Sequence, residues 1–163
     1  MFEVLVYVYE NYWRGSACPE LDRLQRKLSA AGFESDEIQQ ALKWLDGLNL
    51  AAFESRTALD GERHIKLIAS TPSRHSMRIY SVAEQDHLGA ECLGFMTFLA
   101  VSGVLPDAMR EIVVDRAMAI PEDTVSLDDL KIIILMVFWS FGEEPDALVL
   151  DELCDDPQAR LAH

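Results

Sequence analysis

The stretch Leu127–Phe141, reading LDDLKIIILMVFWSF, constrains this chain more than any other. Wound at 3.6 residues per turn, its apolar side chains point in every direction, interrupted only by Asp128, Asp129, Lys131 and Ser140. A helix apolar all round must be wrapped by other helices or by lipid. As a helix the run is about 22 Å long, against a hydrocarbon layer of about 30 Å. Acidic residues also flank it, Asp128 and Asp129 on one side, Glu143 and Glu144 on the other. It therefore reads as the buried post of a helical domain rather than a membrane anchor. Ser126 is placed to cap it, the two aspartates complement its dipole, and Gly142 stops it.

A chain of 163 residues, half of them hydrophobic, can build such a core as one domain or two small ones sharing contacts. Its net charge of −14 is unevenly spread. Residues 1–50 carry five Lys/Arg and eight Asp/Glu, residues 51–80 five and three, and residues 81–163 four and seventeen. The C-terminal half should repel phosphate backbones and anionic membranes. Cys18, Cys92 and Cys154 are scattered, form no CxxC pair, and follow no basic leader, which suggests a reducing, cytoplasmic setting.

Taken in order, FEVLVYVYENYW (residues 2–13) has strand-like composition, but Glu3, Tyr7, Glu10 and Asn11 share one sector of a helical wheel, so a helix is expected. Pro19 suits the first turn of a second helix, with Leu21, Leu24 and Leu28 as its stripe and Gly32 as its end. A third helix should begin at Ser35 and bury Ile38, Ala41, Leu42, Leu45 and Leu48. Beyond Leu50, the runs 51–57 and 63–69 flank Leu59-Asp60-Gly61-Glu62, and Asp-Gly between such runs predicts a β-hairpin. Helices followed by a hairpin are the order of a winged helix. Residues 70–76 (STPSRHS) read as a linker and residues 77–80 as extended. Ser81 and Glu84 then fit a capping box opening a helix to about Ser102, with Leu88, Cys92, Phe95 and Leu99 as its core stripe. Pro106 starts a further helix with Met109, Ile112, Val113 and Ala117 inward.

The predicted fold is thus mainly α: a winged-helix-like unit of three helices plus a hairpin (1–70), a linker and extended segment (71–80) and an acidic helical unit (81–163) around one fully apolar helix. A winged helix reads DNA with its third helix, yet the outer face expected there carries Asp36, Glu37, Gln39, Gln40, Lys43, Trp44 and Asp46, a net of −2. Such a face disfavours a duplex. Basic residues collect instead at the predicted hairpin, Arg56, Arg63, His64 and Lys66, with Arg74 and Arg78 nearby, and these carry the alternative reading of nucleic-acid contact. No metal-ligand spacing, Gly-rich phosphate loop, GxSxG or HExxH is present, so no catalytic, cofactor or metal residue is nominated. His87 and Cys92 are five apart, off the spacing that sets two ligands on one helix face, and Cys92 reads as a small core residue. Arg78 and Tyr80 share one side of the extended segment. Either Tyr80 buries its ring while Arg78 pairs with an acid of the C-terminal half, or the two line a groove between the halves.

The stretches FEVLVYVYENY, AAGFESDEIQQALKWLDGL and SMRIYSVAEQDHL, together with the apolar helix, resemble the bacterial Smg proteins over nearly the whole chain. Ser76-x-Arg78-x-Tyr80-x-x-x-Glu84 and Asp128-Asp129-Leu130-Lys131 are the most specific pieces. The resemblance implies a cytosolic protein of unknown function, encoded near DNA-processing and topoisomerase genes, and brings no catalytic residues. Residues 20–50 are more loosely similar to one three-helix unit of the RecX regulators, whose units contact protein filaments. The expectation from all of this is a non-enzymatic, cytoplasmic module that binds another protein, with Trp44, Gln40, Arg78 and Tyr80 as candidate contacts. Trp44 is expected to be partly exposed, as an interface anchor would be.

Overall fold

The computed structural model describes residues 1–12, 21–62 and 78–143. They form six helices: α1 (Phe2–Tyr12), α2 (Leu21–Ala31), α3 (Ser35–Glu62), α4 (Val82–Val101), α5 (Asp107–Met118) and α6 (Leu127–Phe141). The apolar run is α6, and α1, α3, α4 and α5 all pack against it. From Leu130 to Phe138 every residue but Ile132 is buried, Lys131 included, whose ammonium lies 5.8 Å from the centre of the Phe95 ring. The Ser126 hydroxyl accepts from the Asp129 backbone N–H at 3.1 Å and donates to the Asp129 carboxylate at 2.6 Å. At the other end Gly142 takes a left-handed conformation (φ 69°), which lets the Glu143 N–H reach back to the Phe138 carbonyl. The same device closes α2: Gly32 has φ 96°, and the Phe33 N–H donates to the Leu28 carbonyl. That turn sets the Phe33 ring edge-on to Tyr7 of α1, with centroids 5.3 Å apart.

The predicted hairpin is overturned at its first strand. Residues 51–62 continue α3 as helix, and among the described residues there is no strand. The winged-helix arrangement falls with it; the expected second strand and the linker at 70–76 lie outside the described residues. The physical reason is that the buried stripe of Ile38, Ala41, Leu45 and Leu48 does not stop at Leu48 but passes on to Ala52 at helical spacing. Ala51, Ala52, Glu54 and Arg56 are good helix formers, so propensity supports the continuation. Asp60-Gly61 then falls in the last turn of a helix rather than in a hairpin loop.

α4 is also not uniform. Gly89 has φ 68° and ψ 171°, a conformation open essentially to glycine alone, and it breaks the helix into a short entry and a longer second half. The buried stripe reads Leu88, Cys92, Met96 and Leu99, so Met96 takes the inward place expected of Phe95, which is half-buried. Buried residues from each of the six helices belong to one hydrophobic cluster that runs through both predicted units.

Candidate functional site

The residues before α4 form a clamp. The Arg78 side chain lies 4.4 Å from the centre of the Tyr80 ring and donates from Nε to both Glu111 carboxylate oxygens at 2.9 Å. Its Nη1 and Nη2 donate to the two Glu84 oxygens at 3.3 and 2.8 Å. Glu84 simultaneously accepts from the Ser81 backbone N–H at 2.7 Å, while the Ser81 hydroxyl accepts from the Glu84 N–H, so the predicted capping box is present and doubles as a guanidinium receptor. Glu111 is shared with Arg110, which also pairs with Asp107. Arg78 therefore joins the start of α4 to the outer face of α5 through one planar group, a geometry that lysine does not reproduce. Of the two readings open for Arg78 and Tyr80, the pairing of Arg78 with acids of the C-terminal half is the one found. Tyr80 is half-buried against the core.

Electrostatics follow from these contacts. The Arg78 hydrogen bond, then the Ser81 N–H, hold the Glu84 carboxyl down at about 2, while Arg78 itself is held above its ordinary value, chiefly by Glu84. Burial pushes the Tyr80 hydroxyl up. Because the folded-state value of Glu84 lies below its ordinary 4.5, its stabilising contribution is present above pH 4.5 and is lost as pH falls toward 2. Glu84→Gln should therefore flatten the stability profile in that window. We expect the wild-type chain to lose about 1–2 kcal/mol more than the variant there, a figure reduced from full linkage because solvent screens this surface pair. Urea midpoints measured at intervals between pH 5 and pH 2 test this, and parallel profiles for the two chains would contradict it.

What turns inward at the clamp leaves its neighbours outside. Ile79 and Val82, which flank Tyr80 and Ser81 in the chain, are 90% and 73% exposed. An almost fully solvated isoleucine beside a rigidly tied arginine is the most conspicuous apolar edge at the start of α4.

Trp44 is corrected. It is 4% exposed, and its indole Nε1 donates to the Arg116 carbonyl at 3.0 Å. The sequence places Trp44 at the margin of the buried stripe of α3, and the neighbour that claims it is the last turn of α5, whose terminal carbonyls need donors. α4 serves the same helix end: the two ring nitrogens of His87 lie 3.1 Å from the Ala117 and Asp123 carbonyls. The Arg116 guanidinium lies over Gly47 where a Cβ would stand, so the absent side chain on α3 makes room for the Arg116 side chain of α5. Gln40, one turn before Trp44, is exposed. These two residues do not form a common surface.

Of the basic residues, Arg56 donates to the Ser140 carbonyl and stacks over Phe141 with its guanidinium carbon 5.4 Å from the ring centre. Arg63, Lys66 and Arg74 lie outside the described residues. Cys92 is buried on its apolar stripe; its thiol donates to the Val125 carbonyl at 3.5 Å, and burial pushes it up to about 11, far from a reactive thiolate. Among the described residues no group of three or more His, Cys, Asp or Glu could hold a metal ion, and no helix is long and apolar enough to cross a membrane.

Comparison with known proteins agrees with the resemblance carried by the clamp and by α6. The family described as "Protein of unknown function (DUF494)" matches residues 1–163. The protein Smg homolog of Leptothrix cholodnii is 60% identical over 163 residues, covering 100% of both chains. The homologs of Methylibium petroleiphilum and Bordetella pertussis, over the same 163 residues and again covering 100% of both chains, are 56% and 49% identical. No solved structure matches the chain. Matched along its whole length at these identities, the chain belongs to the Smg family.

Proposed function

We propose that this chain is a non-enzymatic interaction module of the bacterial cytoplasm that presents the Ile79/Val82 edge to another protein. The observation that supports this is the pairing of two largely solvated apolar side chains with a segment held still by the Arg78 clamp. Binding at a pre-ordered segment loses less conformational entropy than binding at a free one, so a small apolar edge gains affinity when its backbone is already fixed. Arg78 and Tyr80 act as positioning residues in this reading rather than as contacts. The alternative, nucleic-acid contact through Arg56, Arg63, Lys66, Arg74 and Arg78, is weakened at Arg56 and Arg78, since both guanidinium groups already have partners within the fold.

A photo-crosslinking side chain placed at position 79 or 82, with position 25 on the exposed face of α2 as control, tests the proposal in living cells. One common protein adduct is expected from 79 and 82 and not from 25. It should disappear when the remaining edge residue is changed to Asp, while the melting temperature stays within a few degrees, because neither side chain contributes to the core. No adduct above the control, or the same adduct from all three positions, would overturn the proposal.

A further inference from the structure

The start of α4 is fastened to the fold without being buried in it. From Arg78 to His87 no residue is buried, and of these side chains Tyr80 alone leans on the core. The ties are polar instead. Arg78 pairs with Glu111 of α5, the His87 ring nitrogens face the Ala117 and Asp123 carbonyls, and the Val125 N–H donates to the His87 carbonyl at 2.9 Å. That last bond stands where a helical one would be. In an unbroken α4 the His87 carbonyl would accept from the Glu91 N–H, closing a ring through residues 88–90. The ring cannot close across Gly89 at φ 68° and ψ 171°, so the carbonyl serves Val125. Beyond the break the Cys92 thiol donates to the Val125 carbonyl, so the loop before α6 is held from both sides of Gly89.

The apolar pattern of α4, by contrast, is that of one continuous helix. Leu88, Cys92, Met96 and Leu99 keep helical spacing straight through position 89. Glycine adopts φ of either sign with equal ease, and nothing lies within 4 Å of where a Cβ on Gly89 would stand. We propose that residues 78–88 are a strap hinged at Gly89 with two positions. In one it is tied to α5 and Val125; in the other it swings away and completes α4 as a straight helix. The exchange trades hydrogen bonds for hydrogen bonds. Straightening restores the ladder bonds of residues 90–92 that the break forbids, and gives up the contacts of Arg78 and His87. Little apolar area changes hands, because Leu88 stays on the common stripe and the rest of the strap is not buried. The tied position presents Ile79 and Val82 on the Arg78 clamp, and the straight one parts Arg78 from Glu111 and withdraws that edge. A ligand that binds one position better than the other shifts the balance between them.

Native-state hydrogen exchange of the full chain at one fixed pH reads the outcome. In the wild type the Val125 amide should exchange through a local opening, about a hundredfold or more easier than the one that exposes Ile133 and Ile134, and nearly insensitive to dilute urea. Gly89→Ala penalises the tied position, whose backbone at Gly89 is all but closed to L side chains, and favours the helical one. The Val125 amide should then exchange at least about tenfold faster and the Glu91 amide more slowly, with Ile133 and Ile134 unchanged. Glu111→Gln unties the strap from α5 and leaves the hinge alone, and should speed Val125 about two- to fivefold. A wild-type Val125 amide that exchanges only together with Ile133 and Ile134 would overturn the proposal. So would a Gly89→Ala chain with Val125 unchanged, or with Val125 and the α6 amides losing protection alike. The measurement needs no partner, so this inference and the crosslinking expected from positions 79 and 82 fail separately.

Discussion

Ile133→Asp is expected to leave a chain without a cooperative thermal transition. Ile133 is fully buried at the middle of α6, where α1, α3, α4 and α5 converge. The substitution removes a side chain whose burial contributes about 1.5–3 kcal/mol and places a carboxylate in its position. An unpaired buried carboxylate costs several kcal/mol more even after relaxation. Domains are stable by about 5–15 kcal/mol in total, so the sum approaches the whole margin. Because a single hydrophobic cluster includes residues from all six helices, the loss should extend to α1 and α3 and not stop at the C-terminal half. Far-ultraviolet circular dichroism and native-state hydrogen exchange measure this. Phe98→Asp provides the control, since it makes a comparable apolar-to-carboxylate change on a solvated surface and should leave the melting temperature nearly unchanged. An Ile133→Asp chain that melts like the wild type would mean that α6 is not the core.

How much of this fold can be read in advance depends on whether its cause is local. The burial of α6 is legible because a helix apolar on every side has no other stable place, and Ser126, Asp129 and Gly142 mark its ends within three or four residues. The Ser81/Glu84 capping box is legible for the same reason. The hairpin is misread because Asp60-Gly61 is a strong local turn signal, while the competing cause, the stripe from Ile38 to Ala52, spans four turns and is decided by what packs against it. Gly89 sits in a helical pattern where a break could be suspected, but only the backbone shows it, and whether Phe95 or Met96 turns inward beyond it is decided by packing, since both lie at helical spacing from Cys92 and Leu99. Arg78 is a half-legible case. Its need for an acidic partner follows from its position beside a half-buried tyrosine, and Glu84 is six residues away. Glu111, on another helix, could not be chosen from among so many acids.

Trp44 is where reading from a helical wheel fails most, and it carries the second large expected effect. An exposed interface anchor could be truncated with little cost to the free chain. A buried indole cannot. Trp44→Ala is expected to cost about 3–5 kcal/mol, the range for emptying a large aromatic site in a packed core. The loss has two separable parts. Trp44→Phe keeps most of the ring volume but removes the Nε1 donor, leaving the Arg116 carbonyl at the end of α5 without the indole hydrogen bond. That step alone should cost about 1–3 kcal/mol, the penalty for an unsatisfied buried polar group. The remainder is packing against the α5 end of the core. Urea unfolding of the two variants measures both parts, provided the slope of free energy on denaturant is unchanged, so that the midpoints report stability and not a change in the denatured state. The expected order is wild type, then Phe, then Ala, with the Phe variant nearer the wild type. If the alanine variant came within about 1 kcal/mol of the wild type, Trp44 would have to leave its site in solution, and the surface role that its wheel position suggests would regain its basis. If Phe and Ala lost equal amounts, the hydrogen bond to Arg116 would outweigh the packing, and the contact of Trp44 with α5 would rest on one donor rather than on the fit of the ring.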